Sequence, residues 1–268
     1  MFLGLDYKNS ESIIDTHCHL DDESYFGDLD EIIKHSKQNK IEKIIIPGAD
    51  LSHLSRAREI SYKYDYVYFA AGVHPYHCDE FDLEYLKKYS YDEKCVAIGE
   101  CGLDYFYLKS ENESVKQKQK EIFNIQLELA RDARKPVIIH SRDANDDTYQ
   151  ILKKYAKDLK GGVIHCFNAS EHLLRLSDEG FYFGIGGVLT FKNAKNLVEI
   201  LPKIPKDKLL LETDAPYLTP TPFRGKRNHP ILTHLVADKM SEILNIDRQE
   251  LIQICTKNAN DLFFQGVK

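Results

Sequence analysis

Histidine and acidic residues follow the apolar segments of this chain at six positions. The six are His17, His19, Glu100, His140, His165 and Asp214. Imidazole and carboxylate groups together are ligands that divalent ions such as zinc, manganese or nickel accept. A shared carboxylate can hold two ions ~3.5–4 Å apart in hydrolytic centres. The residue types therefore indicate a metal-dependent hydrolytic centre, provided that the fold brings them together.

Eight β-rich segments position these residues, and segments with helical periodicity separate them. The β-rich segments are IIDTHCH (13–19), KIIIPG (43–48), VYFAAGVHP (67–75), VAIGECGLDY (96–105), PVIIHSR (136–142), GVIHCF (162–167), YFGIGG (182–187) and LLLETDAP (209–216). The clearest helical segments are 28–40, 51–64, 117–135 and 170–180, the last of which ends at Gly180. Strands that alternate with helices predict parallel βαβ units.

The number of units predicts a closed barrel. Eight strands that alternate with helices in 268 residues fit a (β/α)8 barrel better than an open doubly wound sheet. The first β-rich segment also lacks the GxGxxG turn of a dinucleotide-binding fold, since DTHCHLDD follows it. We therefore expect a single-domain α/β TIM-like barrel over residues 1–268, with a core from about 13 to 263.

A barrel of this kind would gather the six residues at one mouth. Active sites of such barrels lie at the carboxyl ends of the strands. Because strand side chains alternate, His17 and His19 should both point inward, while Cys18 faces the helices, as do Cys101 and Cys166. Burying so many ionisable groups together without a cation would carry a large desolvation cost.

Composition limits the function and the location. The chain has 36 Lys and Arg against 42 Asp and Glu, a net charge of −6, which argues against a protein that coats nucleic acid but not against a nuclease. It lacks an apolar run of the ~18 residues that span a bilayer, and its start, MFLGLDYKNSES, lacks the order of a secretory signal. We expect a cytoplasmic monomer with no membrane contact. The six cysteines show no CxxC spacing, and a reducing compartment disfavours disulfides, so we expect free thiols.

Several motifs in order give the chain a family resemblance. They are DTHCHLD (15–21), GVHP (72–75), IGECGLDY (98–105), PVIIHSRDA (136–144), HCF (165–167), ETDAPYLTP (212–220) and RGKRNHP (224–230). On these stretches the chain resembles the TatD family of metal-dependent hydrolases, among the amidohydrolase-like metal barrels. The resemblance implies a TIM-like barrel, two divalent metal ions per subunit and hydrolysis of phosphodiester bonds, usually described as deoxyribonuclease activity.

The resemblance also implies the ligands of each ion. The residues that match the first site are His17, His19, Glu100 and Asp214, and those that match the second are Glu100, His140 and His165. Glu100 would bridge the two ions, which could be Mg, Mn, Zn or Ni. Relatives that bridge their metals through a carbamylated Lys are a different class, since no Lys occupies these positions. One departure is His229, where relatives commonly have Glu or Gln; it bears on substrate contact.

The expected mechanism is attack by a metal-bridged hydroxide. Two ions lower the pKa of a shared water and polarise the phosphate that it attacks. Asp214 is placed to accept the proton of that water. Glu212, two residues earlier on the same face, is the second catalytic candidate, either as a general base or as a carboxylate that only orients ligands.

Basic residues near the strand ends are candidates for substrate binding. Arg224, Lys226 and Arg227 form the densest basic loop and follow the last strand, where barrels often bind phosphate. Arg224 is the first candidate for a phosphate clamp, and a solvated surface loop is the alternative. Arg142 is a lesser candidate. His74 either contacts substrate or has a structural role.

Aromatic and amide side chains near the mouth are further candidates. Tyr105, Phe106 and Tyr107 could stack on bases, which is worth ~1–3 kcal/mol per base, or could belong to an ordinary loop with buried aromatics. Asn168 and Tyr217 could line the pocket.

Other features predict structure rather than chemistry. The histidines expected on helix surfaces, far from the strand ends, are His35, His53, His172 and His234. The segment 247–263 predicts a helix that closes the barrel, with Asp247 as N-cap and Glu250 three residues later.

Three functions follow from these residues. The first is a metal-dependent 3′→5′ exonuclease, with single-stranded DNA or DNA 3′ ends as substrate. The second is a metal-dependent hydrolase of C–N or carboxylic ester bonds on a small molecule or acylated RNA, which the same barrel could host. The third, a catalytically idle barrel that only binds, would have lost ligands, whereas all six are present.

Overall fold

Eight parallel strands form one sheet, in the order in which they occur along the chain. The computed structural model describes residues 4–108 and 112–265. The strands are β1 (Ile13–Asp15), β2 (Ile41–Ile46), β3 (Val67–Ala71), β4 (Cys95–Asp104), β5 (Val137–Arg142), β6 (Gly162–Ile164), β7 (Phe181–Ile185) and β8 (Leu209–Leu211). Their aliphatic composition reflects burial on both faces, as parallel sheets require. The predicted (β/α)8 architecture is confirmed.

Backbone hydrogen bonds at and just beyond the carboxyl ends of the first and last strands close the barrel. Thr16 N donates to Leu211 O at 3.1 Å, and His19 N donates to Ala215 O at 2.7 Å. Cys18 and Ala215 form a parallel bridge beyond the ends of the two strands. All eight carboxyl ends consequently surround one mouth.

Helices cover the outside of this sheet. Within the described residues the α-helices are α1 (Leu29–Gln38), α2 (Leu54–Lys63), α3 (Leu83–Ser90), α4 (Glu113–Ala133), α5 (Asn145–Tyr155), α6 (Glu171–Leu174), α7 (Lys195–Ile200), α8 (Thr233–Leu244) and α9 (Arg248–Phe263). None of these is both long and apolar enough to cross a membrane. The predicted cap of α9 is confirmed, since Asp247 Oδ1 accepts hydrogen bonds from Gln249 N and Glu250 N at 2.9 and 3.2 Å.

Helix α9 also closes the end of the barrel opposite the mouth. One side chain from nearly every strand belongs to a cluster separate from the one that packs against the helices. Its strand members include Ile14, Ile45, Ala70, Ala97, Ile138, Val163 and Leu210. Ala259, Leu262 and Phe263 of α9 complete this inner cluster. The closing helix is therefore present where it was predicted.

Two of the three cysteines that were expected to face the helices do so. All six are free thiols. Cys18 and Cys101 are buried in the helix-facing cluster, as predicted. Cys166 departs from the prediction because it is only partly buried and lies outside that cluster. Its φ of 44° shows that the chain has left the strand conformation by this point.

Most strands end earlier than the apolar pattern predicts. The difference bears on the site at four of them, since β1 ends at Asp15, β3 at Ala71, β6 at Ile164 and β8 at Leu211. The expectation that His17 and His19 end the first strand is wrong, because both lie in the segment that follows it. Hydrophobic alternation does not distinguish a strand from an extended segment after it, so the pattern overestimates strand length where the site begins.

His234 corrects a second expectation, since it is fully buried rather than exposed. Its Nε2 lies 2.8 Å from Asn39 O, and Arg248 Nη2 lies 3.0 Å from its Nδ1. Tyr7 stacks on the ring with centroids 4.0 Å apart. These partners come from distant parts of the chain, so a polar residue on α8 gives no sign of them.

The burial of His234 predicts a pH-dependent stability. Burial lowers the pKa of His234 to about 4, and the nearby guanidinium of Arg248 acts in the same direction, while the Asn39 carbonyl opposes them. The unfolded chain, with a histidine pKa near 6.5, binds more protons between these values. The contribution of neutral His234 to the free energy of unfolding is therefore fully present above about pH 6.5. It is lost as the pH falls from about 6.5 toward 4.

Urea unfolding of the wild type and of His234→Gln at pH 7 and pH 5 measures this contribution. Glutamine can donate to Asn39 and accept from Arg248 but does not titrate. The stability advantage of the wild type should shrink by about 2 kcal/mol at pH 5. An advantage of the same size at both pH values would contradict the assignment.

Candidate metal centre

A cavity of about 770 Å³ opens at the carboxyl ends of the strands. Five of the six predicted ligands line it: His19, Glu100, His140, His165 and Asp214. The sixth, His17, is fully buried at the edge of the same cluster. The barrel thus brings all six residues together.

Glu100 lies at the centre of the cluster, and its two carboxylate oxygens face different histidines. Oε2 lies 3.2 Å from His17 Nε2. Oε1 lies 2.8 Å from His140 Nδ1 and 3.2 Å from His165 Nε2. A carboxylate in this position can be shared by two groups of ligands.

Asp214 completes the side of the cluster that His17 occupies. Its Oδ1 lies 3.4 Å from His19 Nε2 and 3.7 Å from His17 Nε2. The backbone N of Asp214 donates to His17 O at 2.8 Å, which ties the two segments together. The rings of His17 and His165 stack with centroids 3.7 Å apart.

This donor set fits divalent cations. Neither ring nitrogen of the buried His17 makes a hydrogen bond, which would be costly unless another group satisfied it. Three groups have ligand atoms within 4.8 Å of one another: His17, His165 and Asp214; His17, His19 and Glu100; and His74, Glu100 and His140. The second and third of these groups share Glu100. The third group contains His74 beside Glu100 and His140, whereas the family resemblance implies His165 in that place.

The carboxylates of the cluster have the protonation state that suits metal binding. Burial alone would raise the pKa of Glu100 and Asp214, but the neighbouring histidines outweigh it, so each pKa lies below its usual range. Burial lowers the pKa of His74 to about 3. Burial alone would lower the pKa of His19, His140 and His165, but the carboxylates beside them outweigh it, so the pKa of His19 is raised to about 9 and those of His140 and His165 are also raised. Metal ions bind ionised carboxylates and neutral imidazoles, so binding at these three histidines releases protons.

Asp104 is a part of the site that the sequence interpretation missed. Its Oδ2 lies 2.9 Å from His140 Nε2, so His140 is held between Glu100 and Asp104. Gln119 fixes the backbone of Asp104, since its Oε1 accepts from Asp104 N at 2.9 Å. Asp104 is four residues after Glu100 in β4, and this even spacing was the available signal.

Glu212 supports His165 from behind. Its Oε1 accepts a hydrogen bond from Cys166 N at 2.6 Å and lies 3.4 Å from His165 Nδ1. A Cβ built on Gly184 would overlap the Glu212 carboxylate, so this approach requires glycine. Glu212 is buried and does not line the cavity. Of the two roles considered for Glu212, this geometry fits the orientation of His165.

Asp15, also missed, joins the two segments that carry ligands. Its Oδ2 accepts from Thr213 Oγ1 at 2.6 Å, and its Oδ1 accepts from His17 N at 3.3 Å. Burial raises the pKa of Asp15 to about 8. Asp15 shares its odd numbering with His17 and His19, so the alternation that selected those two could have selected it as well.

The predicted substrate-binding residues are separated in the structure. His74 and Arg142 line the cavity, whereas Arg224 does not. The Arg224 guanidinium lies over the ring of Phe191, with Cζ 3.7 Å from the centroid. The role of Arg224 in substrate binding stays a prediction. The cation–π contact holds its guanidinium outside the cavity.

The other two basic residues of this loop, Arg227 and Lys226, also contact groups outside the cavity. Arg227 forms a two-pronged ion pair with Asp28, with Nη1 to Oδ1 at 3.0 Å and Nη2 to Oδ2 at 2.5 Å. It also donates to Ser24 O. Lys226 is exposed, and its Nζ lies 5.6 Å from the centroid of the Phe223 ring. Neither basic residue lines the cavity.

The aromatic candidates differ from one another in exposure. Tyr105 is partly buried, and its hydroxyl donates to Asp147 Oδ2 at 2.9 Å. Phe106 and Tyr107 are 47% and 70% exposed. Tyr76, which was not predicted, is 50% exposed and lines the cavity.

Of Asn168 and Tyr217, the two residues expected to line the pocket, only Tyr217 lines the cavity. Asn168 does not, because its Nδ2 donates to Asn145 Oδ1 at 2.9 Å and to Ser141 O at 3.2 Å.

Among the histidines expected on helix surfaces, His53 is the one that lines the cavity. His53 was expected far from the strand ends but lines the cavity, where its Nδ1 lies 2.7 Å from Asp50 Oδ2. His35 on α1 and His172 on α6 are partly exposed and lie outside the cavity, as expected of helix-surface positions. His229 is buried next to His35, with ring centroids 6.0 Å apart, and does not line the cavity.

A parallel barrel with histidines and carboxylates gathered around one glutamate at its mouth defines a class, the metal-dependent hydrolases. The family model described as TatD related DNase matches residues 14–264, and the chain belongs to this family. It is 44% identical to the metal-dependent hydrolase YabD of Bacillus subtilis, over 94% of this chain and 98% of that protein.

Two further relatives agree with this assignment. The chain is 34% identical to the 3′-5′ ssDNA/RNA exonuclease TatD of Erwinia billingiae, over 94% of this chain and 98% of that protein. The crystal structure of YjjV, a TatD homologue from Escherichia coli K12, superposes with a TM-score of 0.87 at 31% identity. That match covers 94% of this chain and 97% of YjjV.

Proposed function

We propose that this protein is a deoxyribonuclease that removes nucleotides from the 3′ end of single-stranded DNA with two divalent ions. The observation that carries the proposal is the position of Glu100, whose two oxygens face separate histidines inside one cavity. A carboxylate in this position can hold two ions at the spacing of two-ion hydrolytic centres. A relative named as a 3′-5′ ssDNA/RNA exonuclease supports the substrate class.

Several side chains of the cluster would divide the chemistry among them. Bound Mg²⁺, Mn²⁺, Zn²⁺ or Ni²⁺ would lower the pKa of water and polarise the scissile phosphate. Asp214 lines the cavity and has a lowered pKa, so its carboxylate is ionised and can accept the proton of the attacking water. Glu212 orients His165, and Asp104 orients His140.

One side of the mouth suits a nucleic-acid strand. We call Tyr76, Phe106, Tyr107 and Arg142 the aromatic side. Arg142 Cζ lies 3.5 Å from the centroid of Phe106, and the rings of Phe106 and Tyr107 are 4.7 Å apart. Tyr76 and Tyr107 are 6.2 Å apart. Exposed rings can stack on bases while the guanidinium contacts a phosphate.

A second candidate function has its own observation. Asp21, Asp22, Glu23 and Asp50 also line the cavity, and a large polyanion gains nothing from them. These carboxylates favour the second function in its small-molecule form, a metal-dependent hydrolase of C–N or carboxylic ester bonds; acylated RNA is the larger alternative substrate of the same chemistry.

A substrate panel distinguishes the two functions. Metal-loaded protein is mixed with 5′-labelled single-stranded DNA, the same strand with a blocked 3′ end, acylated RNA, and small esters and amides. The proposal predicts a ladder that shortens from the 3′ end of the open strand only, and that disappears when the ions are chelated. Intact DNA together with metal-dependent cleavage of the acylated RNA, esters or amides would support the second function instead.

A further inference from the structure

The mouth of the barrel has two sides of opposite character. The aromatic side follows β3, β4 and β5. The other side follows β1 and β2 and consists of Asp21, Asp22, Glu23 and Asp50, which we call the acidic side. Because the sheet is closed in chain order, β1 lies across the barrel from β5. A strand that passes over the metal centre from the aromatic side would therefore meet the acidic side.

The charges on the acidic side are only partly compensated. His53 pairs with Asp50 at 2.7 Å. Arg56 Nε donates to the backbone carbonyl of Asp21 at 3.2 Å, and its guanidinium lies over Phe26, outside the residues that line the cavity. Asp21 is 4% exposed, and its Oδ1 has no hydrogen-bond partner. An excess of negative charge therefore faces the cavity.

Asp22 and Glu23 stand at the outer part of this side. Asp22 Oδ2 accepts a hydrogen bond from the hydroxyl of Tyr217 at 2.8 Å, which holds that ring at the mouth. Tyr217 remains 53% exposed and lies 5.9 Å from His19, measured between ring centroids. Glu23 is exposed. A ring and carboxylates together suit one terminal nucleotide, whose base can stack and whose hydroxyl can donate a hydrogen bond to a carboxylate.

We propose that the acidic side restricts cleavage to strand ends, which rests on the proposed nuclease function. A terminal nucleotide places a hydroxyl against the carboxylates. A strand that continues past the cleaved bond places further phosphates there instead, and like charges at close range exclude such a substrate. The acidic side is thus the specificity determinant between removal of terminal nucleotides and internal cleavage.

Circular and linear single-stranded DNA of one sequence test this inference. The metal-loaded wild type is compared with the double variant Asp22→Asn, Glu23→Gln, which keeps the side-chain shapes and removes two charges. A control, Asp178→Asn with Glu199→Gln, removes two exposed charges that do not line the cavity. The readout is the rate of cutting of the circle divided by the rate of degradation of the linear strand.

The inference predicts that the wild type and the control leave the circle essentially uncut, and that the double variant raises the ratio about tenfold or more. The single variant Glu23→Gln, at an exposed position, should move the ratio in the same direction if the double variant folds poorly. A wild type that cuts the circle as fast as the linear strand, or variants whose ratio equals that of the control, would overturn it. If the wild type also leaves the linear strand intact, the nuclease function itself fails and the inference falls with it.

Discussion

Glu100→Gln is expected to lose both metal ions and to lower hydrolysis by about 10³-fold or more, since charge stabilisation by bound ions is worth several kcal/mol. Glutamine keeps the size of the side chain but replaces one carboxylate oxygen with an amide that donates. The two oxygens of Glu100 contact His17 on one side and His140 and His165 on the other. Glu100 belongs both to the ligand group with His17 and His19 and to the group with His74 and His140.

Metal content after gel filtration and turnover of single-stranded DNA measure this effect. Glu199→Gln is the matched control, because Glu199 is exposed and does not line the cavity. Far-UV circular dichroism checks that the barrel is intact. A Glu100→Gln protein that keeps two ions, or that turns over at the wild-type rate, would show that Glu100 does not bridge the centre.

His140→Ala is expected to lose one ion and keep the other, with hydrolysis again lowered by about 10³-fold. His140 lies 2.8 Å from Glu100 Oε1 but belongs to neither of the ligand groups that contain His17. The group of His17, His19 and Glu100 stays complete in this variant. The two substitutions should therefore differ in metal content although both remove activity.

His172→Ala is the control for this variant, since His172 is a partly buried histidine outside the cavity. Retention of both ions by His140→Ala would mean that His140 is not a ligand. Loss of both ions would mean that the two ligand groups do not bind independently.

The sequence predicts the architecture of this protein because the signal for it is local. Runs such as PVIIHSR combine aliphatic residues with a polar residue at one end, and β5 occupies this run as Val137–Arg142. Repeating that pattern eight times identifies the barrel. The barrel in turn predicts that His17 and His140 both lie against Glu100, although the three are far apart in sequence.

The parts that the sequence did not predict depend on contacts between distant elements. Asp104 is important because His140 of the next strand lies against it. Arg224 lies outside the cavity, and its guanidinium packs on the ring of Phe191, which belongs to a different segment. His234 is buried because Asn39 and Arg248 satisfy it. In each case a partner from a distant part of the chain decides the role of the residue. Spacing can place a residue such as Asp104 on the inner face of a strand, but it does not identify the partner.

A titration of the metal-stripped protein with Mn²⁺ tests the central claim most directly, because it follows bound ion and nucleotide release from 5′-labelled single-stranded DNA together. The account predicts two bound ions at saturation and a rate of release that rises with occupancy of the second. Full activity with one ion bound, or activity in the metal-free protein, would contradict it.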